Sequence, residues 1–431
     1  MKILLDPNPE QAKKHLERPA VNSKKMRQIV KPIFEKVAES GDKALKKFAK
    51  KFDQVHLDSL LVSAEEIASA KGKVSEALQN AMALAKANLE KFHAAQASPE
   101  LHLEVMPGVT CSRKSVPIQR VGLYIPGGTA PLFSTVLMLG VPAQLAGCQE
   151  IVLCSPCNAK GEIHPAILYA ASLVGIQKII KLGGAQAIAA MTFGTASVPK
   201  VDKIFGPGNQ YVTAAKQLAT QFGVAIDMPA GPSEVLVYAD EQAIPSFVAA
   251  DLLSQAEHGV DSQVVLVATS STFAEKVQEE IEVQLKNLPR KDIANKALSH
   301  SCILVIGDRN QALEIINSYA PEHLILAGKH AEKVAPLLSN AGSVFIGNFT
   351  PEAAGDYASG TNHTLPTNGF ARSYSGVSLD SFVKKITYQK ISPKGLQNLG
   401  PAVEIMAASE ELDGHKRAVS LRLEYIKQKK S

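Results

Sequence analysis

A chain of 431 residues with 45% apolar and 20% charged residues has ordinary globular composition and length for about two to three domains. Its 46 basic and 41 acidic side chains leave a formal charge of only +5, with no nucleic-acid-binding stripe; the one basic cluster, Lys427 to Lys430, reads as a solvated tail. No apolar run reaches the ~18 residues of a membrane span, Met1-Lys2-Ile3 opens too polar for a signal peptide, and five cysteines argue for a reducing, cytoplasmic setting without a disulfide framework.

In chain order, Glu10 to Ala97 reads as helices, with apolar residues at helical spacing from Met26 to Val37 and a break at Ser40-Gly41-Asp42. From about Gln119 the texture becomes strand and helix in alternation. Strands are expected at Val121–Ile125, Ile151–Cys154, Lys178–Lys181 and Asp202–Phe205, with helices at Leu132–Leu145, Pro165–Val174 and Ala185–Phe193 between them. A second block of the same kind begins at Glu234–Tyr238. It continues through a helix ending near His258, strands at Gln263–Ala268 and Cys302–Ile306, and short strands at Leu324–Leu326 and Ser343–Ile346. The last ~50 residues read as helical, broken at Leu412-Asp413-Gly414. The class expected is α/β with two doubly wound parallel-sheet domains and helical N- and C-terminal segments.

Four places supply a histidine, mostly beside an acid. Gln255 and His258, three apart at a helix end, face one way and make half of a metal site or a capping pair. Asp356, within Gly355-Asp356-Tyr357-Ala358-Ser359-Gly360-Thr361-Asn362-His363, could add a hard oxygen and His415 a second imidazole, a set suited to Zn²⁺. Glu322-His323 is either a surface-loop pair or an acid and a base dividing water activation and proton transfer. The glycine loops Pro126-Gly127-Gly128, Gly183-Gly184 and Gly206-Pro207-Gly208 end strands, where backbone amides can meet phosphate or simply turn. Cys154-Ser155-Pro156-Cys157 lacks a second pair and reads as a strand end.

Several strings, taken together, closely resemble histidinol dehydrogenases. They are Val201-Asp202-Lys203-Ile204-Phe205-Gly206-Pro207-Gly208-Asn209, Ala230-Gly231-Pro232-Ser233-Glu234, Leu253-Ser254-Gln255-Ala256-Glu257-His258, Tyr319-Ala320-Pro321-Glu322-His323 and the segment from Gly355 to His363. The resemblance implies incomplete Rossmann-like sheets and oxidation of L-histidinol to L-histidine through L-histidinaldehyde with two NAD⁺. It implies Zn²⁺ on Gln255, His258, Asp356 and His415, His323 as general base and Glu322 as activator of water. Ser233, His363 and Glu410 match substrate contacts, alongside the metal ligands and His323; Tyr124, Gln186 and Asn209 match cofactor contacts. It further implies a homodimer with shared active sites, in which Glu410 and His415 reach the partner. The divisions expected are an N-terminal helical arm at 1–22 and a larger α/β domain from 23–117 with 236–375. A second α/β domain at 118–235 carries the cofactor contacts, and 376–431 forms a C-terminal helical segment. A dehydrogenase for another alcohol, a zinc hydrolase and a non-catalytic metal scaffold are the competing readings.

Overall fold

A computed structural model describes residues 1–19, 23–127, 130–229 and 231–429. Gly128 of the first glycine loop, Ala230 of the matching string, Lys430 of the basic cluster and the 22/23 boundary fall at or outside those limits. Strands run β1 (Lys2–Leu5), β2 (Leu101–Met106), β3 (Val109–Pro117), β4 (Arg120–Tyr124), β5 (Glu150–Ser155), β6 (Lys178–Lys181) and β7 (Lys203–Phe205). They continue as β8 (Ala225–Ile226), β9 (Glu234–Ala239), β10 (Gln263–Ala268), β11 (Cys302–Val305), β12 (His323–Ala327), β13 (Ser343–Ile346) and β14 (Val383–Ile391).

Two parallel sheets share one strand order. The smaller runs β6-β5-β4-β7-β8, and the larger runs β11-β10-β9-β12-β13 with β1 added on the β11 edge. In each, the winding reverses beside the first strand, between β4 and β7 and between β9 and β12. Central strands such as β9 and β10 are buried along their whole length, as parallel strands covered on both faces must be. The doubly wound α/β class is therefore observed.

The helices do not divide as expected. Ser23–Phe48, kinked at Gly41 (φ 49°), packs with the helices Gly184–Phe193 and Gln210–Ala219 on one face of the smaller sheet. Glu76–Ala94 packs with Phe133–Ala146 on its other face. Residues 23–96 thus cover the smaller sheet and not, as anticipated, the 236–375 domain; an amphipathic stripe says that a helix is covered, not by which sheet. The N-terminal arm is likewise not purely helical, since β1 precedes the helix Pro9–His15.

By compactness Met1–Gln96 and Ile118–Phe382 form one unit, and Ala97–Pro117 with Val383–Ser431 a second. The second unit holds an antiparallel sheet, β14-β3-β2, and two mutually packed helices, Pro393–Ser409 and Asp413–Gln428. Strands β2 and β3 fall between the helical reading, which ends at Ala97, and the alternation from about Gln119, where no element was expected, and β14 lies in a tail expected as helical. Their residues are largely exposed, so no continuous buried run marks them.

Candidate active site

The first polar cluster sits at the amino ends of β9 and β12. Helix Arg309–Tyr319 ends on Ala320 in left-handed backbone (φ 52°), and Pro321 turns the chain so that Glu322 and His323 enter β12 buried. Both hang on the backbone of one residue of β9, Glu234. The Glu234 N–H donates to Glu322 Oε2 at 3.0 Å, and His323 Nδ1 lies 3.2 Å from the Glu234 carbonyl oxygen. A carbonyl can only accept, so Nδ1 carries a proton whether the ring is neutral or charged, and Nε2 is the atom that gains or loses the second proton. Nε2 is buried without a hydrogen bond among the described residues, 3.4 Å from Asp356 Oδ1.

Asp356 comes from the short helix Glu352–Tyr357, where Glu352 lies one turn before it on the same face. Gly355 lets that helix close in: a Cβ there would stand 2.6 Å from the Phe345 ring of β13. Nitrogen of His258, just past the helix Pro245–Ala256, and carboxylate oxygens of Glu352 and Asp356 all fall within 4.8 Å of one another. Gln255 is fully buried in that helix; with its amide turned so that nitrogen faces Glu352, it donates to Glu352 Oε1 at 2.5 Å and shares the Glu234 N–H, at 3.0 Å, with Glu322.

Charge in this cluster is unbalanced. Burial alone would lower the His323 pKa, but the Glu322 and Glu352 carboxylates and adjoining Asp356 hold it well above the usual histidine value. Burial would raise Asp356, yet His323, His363 and His258 keep it below the usual carboxylate range. Burial pushes Glu352 up to about 8, and its Oε2 has no hydrogen-bond partner among the described residues. An imidazole, crowded carboxylates and an orphaned carboxylate oxygen are the donor set a divalent ion would complete, and one nitrogen with several oxygens fits Zn²⁺.

The remaining expected residues divide. His363 closes on the cluster: Nδ1 lies 2.8 Å from the Asp356 carbonyl oxygen, and Nε2 lies 3.1 Å from Thr135 Oγ1 of the helix Phe133–Ala146. Ser233 immediately precedes Glu234. Glu410 and His415 lie in the second unit, both exposed, at the end of one helix and in the first turn of the next.

The second polar region is a cleft of about 930 Å³ at the carboxyl ends of β4 to β7. Tyr124, Gln186 and Asn209 all line it, with Gly183 and Gly184. Tyr124 Oη accepts from the Gly184 N–H at 3.0 Å, and burial pushes the phenol up to about 12, so it stays neutral. Asn209 is also the N-cap of Gln210–Ala219, its Oδ1 accepting from Tyr211 and Val212 N–H. A cleft of this size beside the winding reversal of a doubly wound sheet is where such folds take nucleotides.

Sequence reading missed Glu352, Glu234 and Asp251. Glu352 had a usable signal, since Pro351 before an acid four residues ahead of Asp356 marks a helix start with two carboxylates on one side. Glu234 acts through its backbone, which no side-chain pattern reveals.

A doubly wound fold with a nucleotide-sized cleft and an acid–base pair beside a metal-fitting cluster defines an oxidoreductase of the dinucleotide-using kind. The family profile described as histidinol dehydrogenase matches residues 16–423. A Bacteroides thetaiotaomicron histidinol dehydrogenase is 58% identical over 427 residues, covering 99% of this chain and all of that protein. One from Haemophilus influenzae is 56% identical over 402 residues, 93% of each chain. The crystal structure of histidinol dehydrogenase from Elizabethkingia anophelis superposes with a TM-score of 0.97 at 55% identity, covering 99% of both chains. The chain belongs to the histidinol dehydrogenase family and is an NAD-dependent oxidoreductase. No helix among its described residues is long and apolar enough to cross a membrane.

Proposed function

We propose that this chain oxidises L-histidinol to L-histidine through L-histidinaldehyde, with two NAD⁺ consumed per turnover, as the closing steps of histidine biosynthesis. The observation that carries the reading is the buried His323, its Nδ1–H held against the Glu234 carbonyl and its Nε2, the proton-exchanging atom, without a hydrogen bond among the described residues and 3.4 Å from Asp356 Oδ1. His323 Nε2 takes the hydroxyl proton as the carbinol C–H bond breaks. Glu322, whose Oε2 is already aimed by the Glu234 N–H, draws a proton from water as the oxygen adds to the aldehyde carbon. Having passed its first proton to solvent, His323 takes a proton from the resulting hydrate in the second oxidation. When bound, the nicotinamide supplies the hydride acceptor and a zinc ion a template for the substrate's imidazole and amine.

Gln255, His258 and Asp356, with His415 from the partner of a homodimer, would hold the zinc. Glu352 stands close enough to His258 and Asp356 to share that task or to orient the Gln255 amide. Ser233, His363 and Glu410, together with Gln255, His258, His323, Asp356 and His415, form the substrate-binding set. Tyr124, Gln186 and Asn209 belong to the cofactor. A histidinol substrate and a cytoplasmic setting follow from the same reading.

The test is NADH formed per mole of limiting L-histidinol by zinc-loaded protein run to completion. Two NADH are expected. One would mean that oxidation stops at the aldehyde, and none would return the zinc-hydrolase and scaffold readings.

A further inference from the structure

Glu234 has every polar group committed. Its backbone N–H and carbonyl oxygen hold Glu322 and His323. Its carboxylate, 2% exposed, accepts from the Asn368 N–H on one oxygen and from Arg18 Nε at 2.5 Å on the other. Arg18 follows the N-terminal helix, more than two hundred residues away in sequence. Its guanidinium also donates from a terminal nitrogen to the Tyr319 carbonyl oxygen at 2.8 Å and stacks 3.9 Å over the Tyr319 ring. Tyr319 Oη in turn donates to Gln263 Oε1 of β10 at 2.9 Å. One guanidinium therefore ties together the start of β9, whose Glu234 backbone N–H and carbonyl aim the acid–base pair, and the turn into β12, which supplies the pair itself.

We infer that Arg18 is a positioning residue for the Glu322–His323 pair, acting through the Glu234 carboxylate and the Tyr319 carbonyl. The inference rests on the reading of that pair as the catalytic one. A planar fork can serve both acceptors at once, whereas an ammonium is a point donor. Without the fork, the β9 peptide and the β12 turn are free to shift relative to each other by fractions of an ångström, and a misplacement near 1 Å costs on the order of 100-fold in rate. No residue of this arrangement lines the nucleotide cleft, so NAD⁺ binding should be spared.

The experiment compares Arg18→Ala, Arg18→Lys and His323→Ala in the zinc-loaded full chain. Arg18→Ala is expected to lower kcat about 10- to 100-fold for histidinol and for added histidinaldehyde alike, with KM for NAD⁺ within about 3-fold of wild type. Added ethylguanidinium should restore part of kcat by refilling the vacated site. Arg18→Lys should fall between Arg18→Ala and wild type. Because Arg18→Ala leaves Glu234 buried and unpaired and could fail to fold, Arg18→Lys then carries the test, with an unchanged thermal midpoint and a lowered kcat expected. Wild-type kcat in Arg18→Lys, or a loss confined to KM, overturns the inference. Turnover surviving in His323→Ala would instead overturn the reading of the pair, whatever the Arg18 variants do.

Discussion

The two parallel sheets are wound alike but used at opposite ends. In the smaller, the glycine-bearing loops and Tyr124, Gln186 and Asn209 gather at the carboxyl ends of the strands, around an open cleft. In the larger, the buried acid and base sit at the amino ends of β9 and β12. The difference follows from what each task needs. A nucleotide needs free backbone N–H groups and room, which strand-to-helix turns provide. Proton transfer needs side chains locked by neighbours, and a strand entrance flanked by a paired peptide gives Glu322 and His323 fixed partners.

If that division holds, damage to the two ends should separate. The largest effect is expected from His323→Ala, which should cut kcat by about 10²- to 10⁴-fold in both half-reactions. Glu322→Gln should mainly slow oxidation of added histidinaldehyde, and equal damage to both half-reactions would merge the two roles. Next comes the cofactor side. Lys216 and Asp227 form a buried pair at 2.5 Å, and both grip Gly206: Lys216 Nζ donates to its carbonyl oxygen and Asp227 Oδ2 accepts from its N–H, each at 2.8 Å. Lys216→Met strands the carboxylate and should cost about 3–5 kcal/mol in urea unfolding, with weakened NAD⁺ binding as the 206–209 loop loosens. Tyr124→Phe removes only the acceptor for the Gly184 N–H, a loss of about 1 kcal/mol. It should raise KM for NAD⁺ several-fold and leave kcat alone.

The smallest effect depends on pH. Burial pushes the Asp251 carboxyl, near Glu352, up to about 7. An acid whose folded pKa is raised holds its proton where the unfolded chain, near pKa ~3.9, has lost it. Its contribution to stability is full below that value and is lost as pH rises through 7. Asp251→Asn, neutral throughout, should therefore gain in thermal midpoint relative to wild type as pH is raised from 5 to 8. A gap that stays constant over that range would contradict the shift.

Both sheets were legible because buried parallel strands are written as short runs of Val, Ile and Leu ending in glycine turns. The edge strands β1 and β8 were not: four residues at a chain end, or two in a connection, look the same whether they pair or fray. The exposed strands β2, β3 and β14 carry no buried run, and the partner of each N-terminal helix is decided by surfaces far away in sequence. Within the site, the matching strings point to side chains one by one; the structure gathers Tyr124, Gln186 and Asn209 on one cleft and places Glu410 and His415 in the second unit. What could not be read was support. Glu234 works through its backbone N–H and carbonyl, and Arg18 through a contact more than two hundred residues away in sequence.

The division of labour is tested most directly by measuring NAD⁺ dissociation constants for His323→Ala and Gln186→Ala beside wild type. The account predicts that the inactive His323→Ala binds NAD⁺ as wild type does, while Gln186→Ala binds it measurably more weakly. Loss of NAD⁺ binding in His323→Ala, or wild-type affinity in Gln186→Ala, would contradict it.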